Sequence, residues 1–136
     1  MLQILLAEDN EGDIMLVEQA LAEHHILHVL HVVCDGDEAF KFLASMGQPD
    51  GPPCPDVLLL DLNLPKIDGA QVLQQFRKHS ACIRTPVVVV TSSDAPKDRQ
   101  RVKDLGADAY FRKPSDLREF MTLGAVIKDI VQKTAA

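Results

Sequence analysis

The chain has 136 residues, of which 46% are hydrophobic and 25% charged, the size and balance of one globular domain whose core needs neither disulfides nor metal. Twenty acidic against fourteen basic side chains give a formal net charge of -6, which argues against direct DNA binding and against attraction to an anionic membrane surface. Three cysteines, Cys34, Cys54 and Cys82, are an odd number without Cys-x-x-Cys or Cys/His spacing, so free thiols and a reducing, cytoplasmic location are expected.

Leu2 to Ala7 reads as a short buried strand; it lacks a basic leader and meets Glu8 and Asp9 within one strand length, unlike a signal peptide, and no later stretch approaches a membrane span. The acidic turn Glu8 to Asp13 opens a helix with Asn10 as its N-cap and Asp13 in the first turn, where the helix dipole favours negative charge. Ile14, Val17 and Leu21 supply its apolar face, and it should end near His24 or His25. His28 to Cys34 is a second strand, followed by a helix from Glu38 to Met46. Gly47 to Pro55 contains four prolines and cannot be regular structure, so an exposed connector is expected. Val57 to Asp61 is an apolar strand delivering one carboxylate to its end, and a Pro- and Gly-containing loop leads to a helix from Gly69 to Lys78. Pro86 starts a fourth strand, Val87 to Thr91, and Asp94-Ala95-Pro96 opens a helix that stops at Gly106. Ala109 to Phe111 is a short fifth strand, and a final helix runs from an N-cap at Ser115 through Val131.

Strands alternate with helices throughout, which predicts an α/β fold: a doubly wound parallel sheet of five strands in one domain, 1–136. In such a sheet the functional crevice lies at the carboxyl ends of the strands. Glu8 and Asp9, Asp61, Thr91 and Lys113 all follow strands. Converging carboxylates repel one another unless a cation sits among them, and an oxygen-only donor set favours magnesium. A lysine and a hydroxyl facing the same spot suit a phosphoryl group.

These residues carry a resemblance. Ile4-Leu5-Leu6-Ala7-Glu8-Asp9, Leu59-Leu60-Asp61-Leu62-Asn63-Leu64-Pro65, Asp68-Gly69, Val90-Thr91-Ser92 and Lys113-Pro114, in this order and each near a strand end, resemble the receiver domains of bacterial two-component response regulators over essentially the whole chain. The resemblance implies a flavodoxin-like sheet in the order 2-1-3-4-5 and a phosphoacceptor at Asp61. It makes Glu8 and Asp9 the acidic pair for magnesium, for which manganese can substitute, with Asp61 and the backbone carbonyl of Asn63 as further ligands. Thr91 resembles the switch hydroxyl, Lys113 the phosphate-pairing lysine and Tyr110 the switch aromatic; Asn63 and Ser93 stand where the family tunes loss of the phosphate. Glu8, where many relatives have Asp, keeps the charge.

The implied partners are a sensor histidine kinase and a downstream protein target or phosphotransfer protein, with a homodimer as a further output. The connector, together with Glu8-Asp9-Asn10 and Asp61 to Lys66, is similar to the stand-alone regulators paired with bacterial phytochrome-type kinases. Because the chain ends soon after the last helix, no output domain is expected. Two other classes fit less well. A phosphatase using Asp61 as nucleophile would want an acid where Asn63 stands, and a flavodoxin-type FMN carrier would want Ser, Thr and Gly where Glu8-Asp9 stand; turnover of an external substrate is therefore not expected. His24, His25, His28 and His31 form no ligand pattern, and Lys97, Arg99, Arg101 and Lys103 read as a solvated helix face.

Overall fold

Apolar runs of four to six residues form five strands, β1 (Leu2–Ala7), β2 (His28–Val33), β3 (Val57–Leu60), β4 (Val87–Thr91) and β5 (Ala109–Arg112). The structure is a computed structural model and describes residues 1–79 and 82–135. All neighbouring strands pair parallel, in the order β2-β1-β3-β4-β5, as the alternating pattern and the family resemblance implied. The helices are α1 (Glu11–Glu23), α2 (Gly36–Ser45), α3 (Gly69–Arg77), α4 (Pro96–Asp104), α5 (Leu117–Met121) and α6 (Leu123–Ala135).

β3 and β4 are buried along their full length, so alternate residues feed two cores. Leu58, Leu60, Val87 and Val89 pack with Leu43, Leu73, Phe76 and Val102 under α2, α3 and α4. Val57, Leu59, Val88 and Val90 pack with Val17, Leu21, Phe120 and Ile127 under α1, α5 and α6. The period of two along the strands thus fixes which helices cover which face.

Four acceptor side chains start the helices at the carboxyl end of the sheet. Asn10 caps α1 through the Asp13 N–H at 2.9 Å, Asp35 caps α2 through Glu38, Asp68 caps α3 through Gln71 and Asp116 caps α5 through Glu119. The cap of the last segment is therefore Asp116 and not Ser115, because its carboxylate reaches the N–H three residues on. The continuous final helix is also corrected: α5 closes at Thr122, whose hydroxyl donates to the Glu119 carbonyl at 2.6 Å, and α6 begins at once.

The connector is less open than expected. Pro55 is buried, Gly51 donates to the Gln48 carbonyl, and Cys54 is joined to Cys82 by a disulfide with a Cα–Cα distance of 5.8 Å. Only Cys34 is a free thiol, so the expectation of three free cysteines is overturned, and with it cysteine usage as an argument for a reducing compartment. Separation by 28 residues hid a pairing that the β3 and β4 entry segments bring about side by side. No helix among the described residues is long and apolar enough to cross a membrane.

Gly69 positions the acidic strand end. A Cβ there would lie 2.3 Å from the Asp61 carbonyl oxygen and 2.8 Å from the Leu62 Cα, and backbone atoms cannot swing aside as a side chain would. Gly69→Ala should therefore destabilise the fold by about 1–3 kcal/mol, read as a lowered midpoint in urea unfolding. Alkylation of the unfolded, unreduced protein should label Cys34 alone, and all three cysteines after reduction; three labels before reduction would show that Cys54 and Cys82 are thiols.

Candidate functional site

The register places the strand ends side by side. Ala7 pairs with Leu60, Leu60 with Val89 and Thr91 with Arg112, so the next residue of each strand enters one crevice. Asp61 N–H still donates to the Ala7 carbonyl and Lys113 N–H to the Thr91 carbonyl, which extends the ladder by one residue and holds both side chains at its rim.

Glu8 and Asp61 are buried, 2% and 5% exposed, and Asp9 is exposed. Each offers an oxygen within 4.8 Å of the others, the only such acidic, His or Cys group among the described residues that could hold a metal ion. The donor set is all oxygen and negatively charged, as a hard divalent cation requires. The remaining contacts restrain the carboxylates before any ion arrives. Glu8 Oε2 accepts from the Asp9 and Asn10 N–H groups at 3.1 Å each. Asp61 Oδ1 accepts from the Asn63 N–H at 3.0 Å, and its Oδ2 faces Lys113.

Lys113 is the one cation in this cluster. Its ammonium donates to Glu8 Oε1 at 2.6 Å, Asp13 Oδ2 at 2.8 Å and Asp61 Oδ2 at 2.8 Å. Burial alone would lower its pKa, but the three carboxylates outweigh burial and hold it well above the usual lysine range. Glu8 is pushed above the usual carboxylate range by burial, with the Asp61 charge adding to the rise, while Lys113 and the Asn10 N–H pull the other way.

Thr91 is fully buried at the end of β4. Its Oγ1 lies 3.5 Å from both Asn63 Nδ2 and the Ser93 N–H, too long for either to hold it firmly. Beyond it, Tyr110 is half-buried and packs against the core under α2, α3 and α4: its hydroxyl donates to the Ser93 carbonyl at 2.8 Å, and the Arg99 guanidinium lies 4.2 Å from its ring centroid. Arg99 is also bonded to Asp94 at 3.0 Å. A cleft of about 430 Å³ beside them is lined by Pro96, Arg99, Val102, Ala109 and Tyr110 among others. Lys97, Arg99, Arg101 and Lys103 are all exposed, as expected of a solvated helix face, and Arg99 in addition covers the Tyr110 ring.

All the residues expected at the crevice from sequence, Glu8, Asp9, Asp61, Asn63, Thr91 and Lys113, come together, with Tyr110 one layer out. Asp13 was missed as a partner of Lys113. Its place in the first turn of a helix whose N-terminus faces the strand ends was the available signal, but the lysine lies 100 residues away. The histidines stay apart, as expected: His24 contacts the Met121 carbonyl, His28 the Ile26 carbonyl and His31 the Gln3 side chain.

Comparison with known proteins agrees with this geometry. The model of the response regulator receiver domain matches residues 4–124. Response regulator Rcp1 of Synechocystis sp. is 37% identical over 120 residues, which cover 88% of this chain and 82% of that protein. Among solved structures, the phosphorylated cyanobacterial phytochrome response regulator RcpA is similar at a TM-score of 0.86 and 35% identity, over 99% of this chain and 96% of that one. The Mn(2+)-bound form of response regulator Rcp1 is similar at a TM-score of 0.83 and 35% identity, over 95% and 93% of the two chains. With its strand order, its acidic crevice and its matched span in agreement, the chain belongs to the response regulator receiver domain family.

Proposed function

We propose that Asp61 accepts a phosphoryl group from a sensor histidine kinase in a magnesium-dependent reaction, and that the modified domain signals through a protein surface. The observation that carries this reading is the state of Asp61. It is a buried carboxylate at a strand end, with one oxygen held by the Asn63 N–H and the other by Lys113, beside two further carboxylates. Glu8, Asp9, Asp61 and the Asn63 carbonyl are the groups that would hold the cation, and the Mn(2+)-bound relative supports a divalent cation in this domain. When bound, magnesium supplies charge neutralisation for the attacking carboxylate and the moving phosphoryl group.

A carboxylate oxygen of Asp61 forms the new oxygen–phosphorus bond as the nitrogen–phosphorus bond of the donor phosphohistidine breaks, with that electron pair staying on the imidazole. Lys113 and Thr91 then hold phosphoryl oxygens. The weak contacts of the Thr91 hydroxyl leave it free to turn toward them, and the added charge of about −1.5 to −2 draws it. That movement vacates space for Tyr110, so a local charge event biases the face made by α4, β5 and the segment after it. Asn63 and Ser93 flank the path by which water would reach the phosphate. The names of the relatives support a kinase of phytochrome type as the donor. The target is a protein, a phosphotransfer partner or a second copy of the chain, with no direct DNA contact and no turnover of an external substrate; a cytoplasmic site of action accords with these partners.

Incubated with acetyl phosphate and magnesium, the wild-type protein should take up one phosphoryl group, and EDTA should abolish uptake. Asp61→Asn should keep the fold and take up none; stoichiometric labelling of that variant at the wild-type rate would remove Asp61 from the role.

Tyr110 is the sole tyrosine and the chain has no tryptophan, so its optical signals report one ring. Burial pushes its phenol above the ordinary value of 10.0, against the opposing charge of Arg99. Absorbance at 295 nm in the metal-free protein should therefore titrate with a midpoint above that value. The folded-state value is the higher one, so this contribution to stability is intact below the ordinary phenol range and is lost as pH rises through the folded midpoint. At neutral pH, beryllofluoride with magnesium should change the tyrosine fluorescence; an unchanged signal on a protein shown to bind beryllofluoride would exclude Tyr110 from the switch.

A further inference from the structure

A lysine ammonium carries three N–H donors, and all three of those on Lys113 are taken by carboxylates: Glu8, Asp13 and Asp61. The three acceptors are not equivalent. Glu8 and Asp61 belong, with Asp9, to the group whose oxygens gather within 4.8 Å, and both are nearly without solvent contact. Asp13 stands outside that group. It sits on the first turn of α1, where its own backbone N–H is fixed by the Asn10 cap, and its side chain is 27% exposed against 11% for that of Lys113. Two of the lysine's partners are thus the groups that a cation or a phosphoryl group would engage, and one is not.

This arrangement has an electrostatic consequence. A cation drawn to Glu8, Asp9 and Asp61 would have to share the crevice with a positive lysine 2.6 and 2.8 Å from two of its ligands, and like charges at such range oppose one another. A carboxylate on the far side of the ammonium offsets its charge and gives it a fixed partner that survives loading of the site.

Resting on the phosphoacceptor reading above, we propose that Asp13 is a positioning residue for Lys113: it anchors the ammonium at the α1 side of the crevice and offsets its charge, so that a divalent cation and the lysine can occupy the site together. Asp13 acts through Lys113 and touches neither the cation nor the phosphoryl group. Supporting groups of this kind at metal sites alter affinity by about tenfold or more when removed.

The test is magnesium binding to the unphosphorylated full chain, measured by calorimetry. Asp13→Asn leaves the α1 cap intact, because the cap uses the Asp13 backbone N–H, and unfolding curves verify that the fold is kept. It should weaken magnesium binding about tenfold, and Asp13→Glu, which restores the charge, should recover most of the loss. In a Lys113→Gln background the same Asp13→Asn change should alter affinity by less than about twofold, since its partner is gone. Wild-type affinity in Asp13→Asn, or an equal loss with and without Lys113, would overturn the proposal. Failure of the wild-type chain itself to bind magnesium or to be labelled at Asp61 would instead overturn the phosphoacceptor reading, so the two are separable.

Discussion

The crevice depends on the contact between one lysine and the carboxylates around it. Glu8 and Asp61 are buried charges, and taking an ionised carboxylate out of water costs several kcal/mol unless a partner compensates. Lys113 compensates both at once, and a removed partner in such a group typically costs about 3–5 kcal/mol. Backbone N–H groups complete the compensation, from Asp9 and Asn10 to Glu8 and from Asn63 to Asp61. The carboxylates nonetheless outnumber the ammonium, so the crevice keeps a surplus of negative charge. That surplus is what makes it receptive to a divalent cation.

The fold exists in the form that makes this contact available. β1 and β3 are adjacent, which sets Glu8 beside Asp61, and β5 stands beyond β4, so Lys113 must reach across the end of β4 over the buried Thr91. The distance is spanned because Lys113 N–H stays on the ladder through the Thr91 carbonyl. On the other side the loop from Leu62 to Gly69 closes the wall. Gly69 lets α3 begin against the Asp61 backbone, and Gly36 lets α2 begin against Ile67, where a Cβ would come within 2.2 Å of that residue's own Cβ. Lys66, at a φ of 70°, bridges to Asp35 at 3.3 Å. The position of Asp61 therefore rests on helix starts that could not approach so closely with larger residues.

Much of this was legible in the sequence because its signals are local. Apolar runs of strand length, each ending in a polar residue, fixed β1, β3 and β4 to within a residue, and the acids and lysine that follow them had to share one end of a parallel sheet. What the sequence hid depended on contacts across long separations or on competition between near-equal local choices. Asp13 looked like a residue serving the helix dipole, and only the folded chain sets it on Lys113. Ser115 has a cap's side chain, but its neighbour Asp116 is the one that reaches the Glu119 N–H. The break at Thr122 leaves Leu123 and Ile127 facing the same core as Phe120, so the apolar spacing alone reads as one helix. Cys54 and Cys82 lay on either side of the β3 and α3 segment, and nothing near either one announced the other. Arg99 sat among four basic residues, of which one found an aromatic ring.

Under the proposed switch, Thr91 and Tyr110 would couple the crevice to the face of α4 and β5 without a continuous wire. The hydroxyl of Thr91 has only long hydrogen-bond contacts, whereas Tyr110 is held by a good hydrogen bond to Ser93 and by Arg99 over its ring. The Thr91 hydroxyl is thus weakly bonded and the Tyr110 hydroxyl firmly bonded. Under the proposed switch, capture of Thr91 would move the Tyr110 ring only if its new environment outweighed the Ser93 and Arg99 contacts. Those contacts are each worth about 1 kcal/mol, within what one charge-assisted hydrogen bond at the crevice can supply. The proposed switch thus asks of the outer face no more energy than such a bond supplies, which is the scale on which a modification shifts a population.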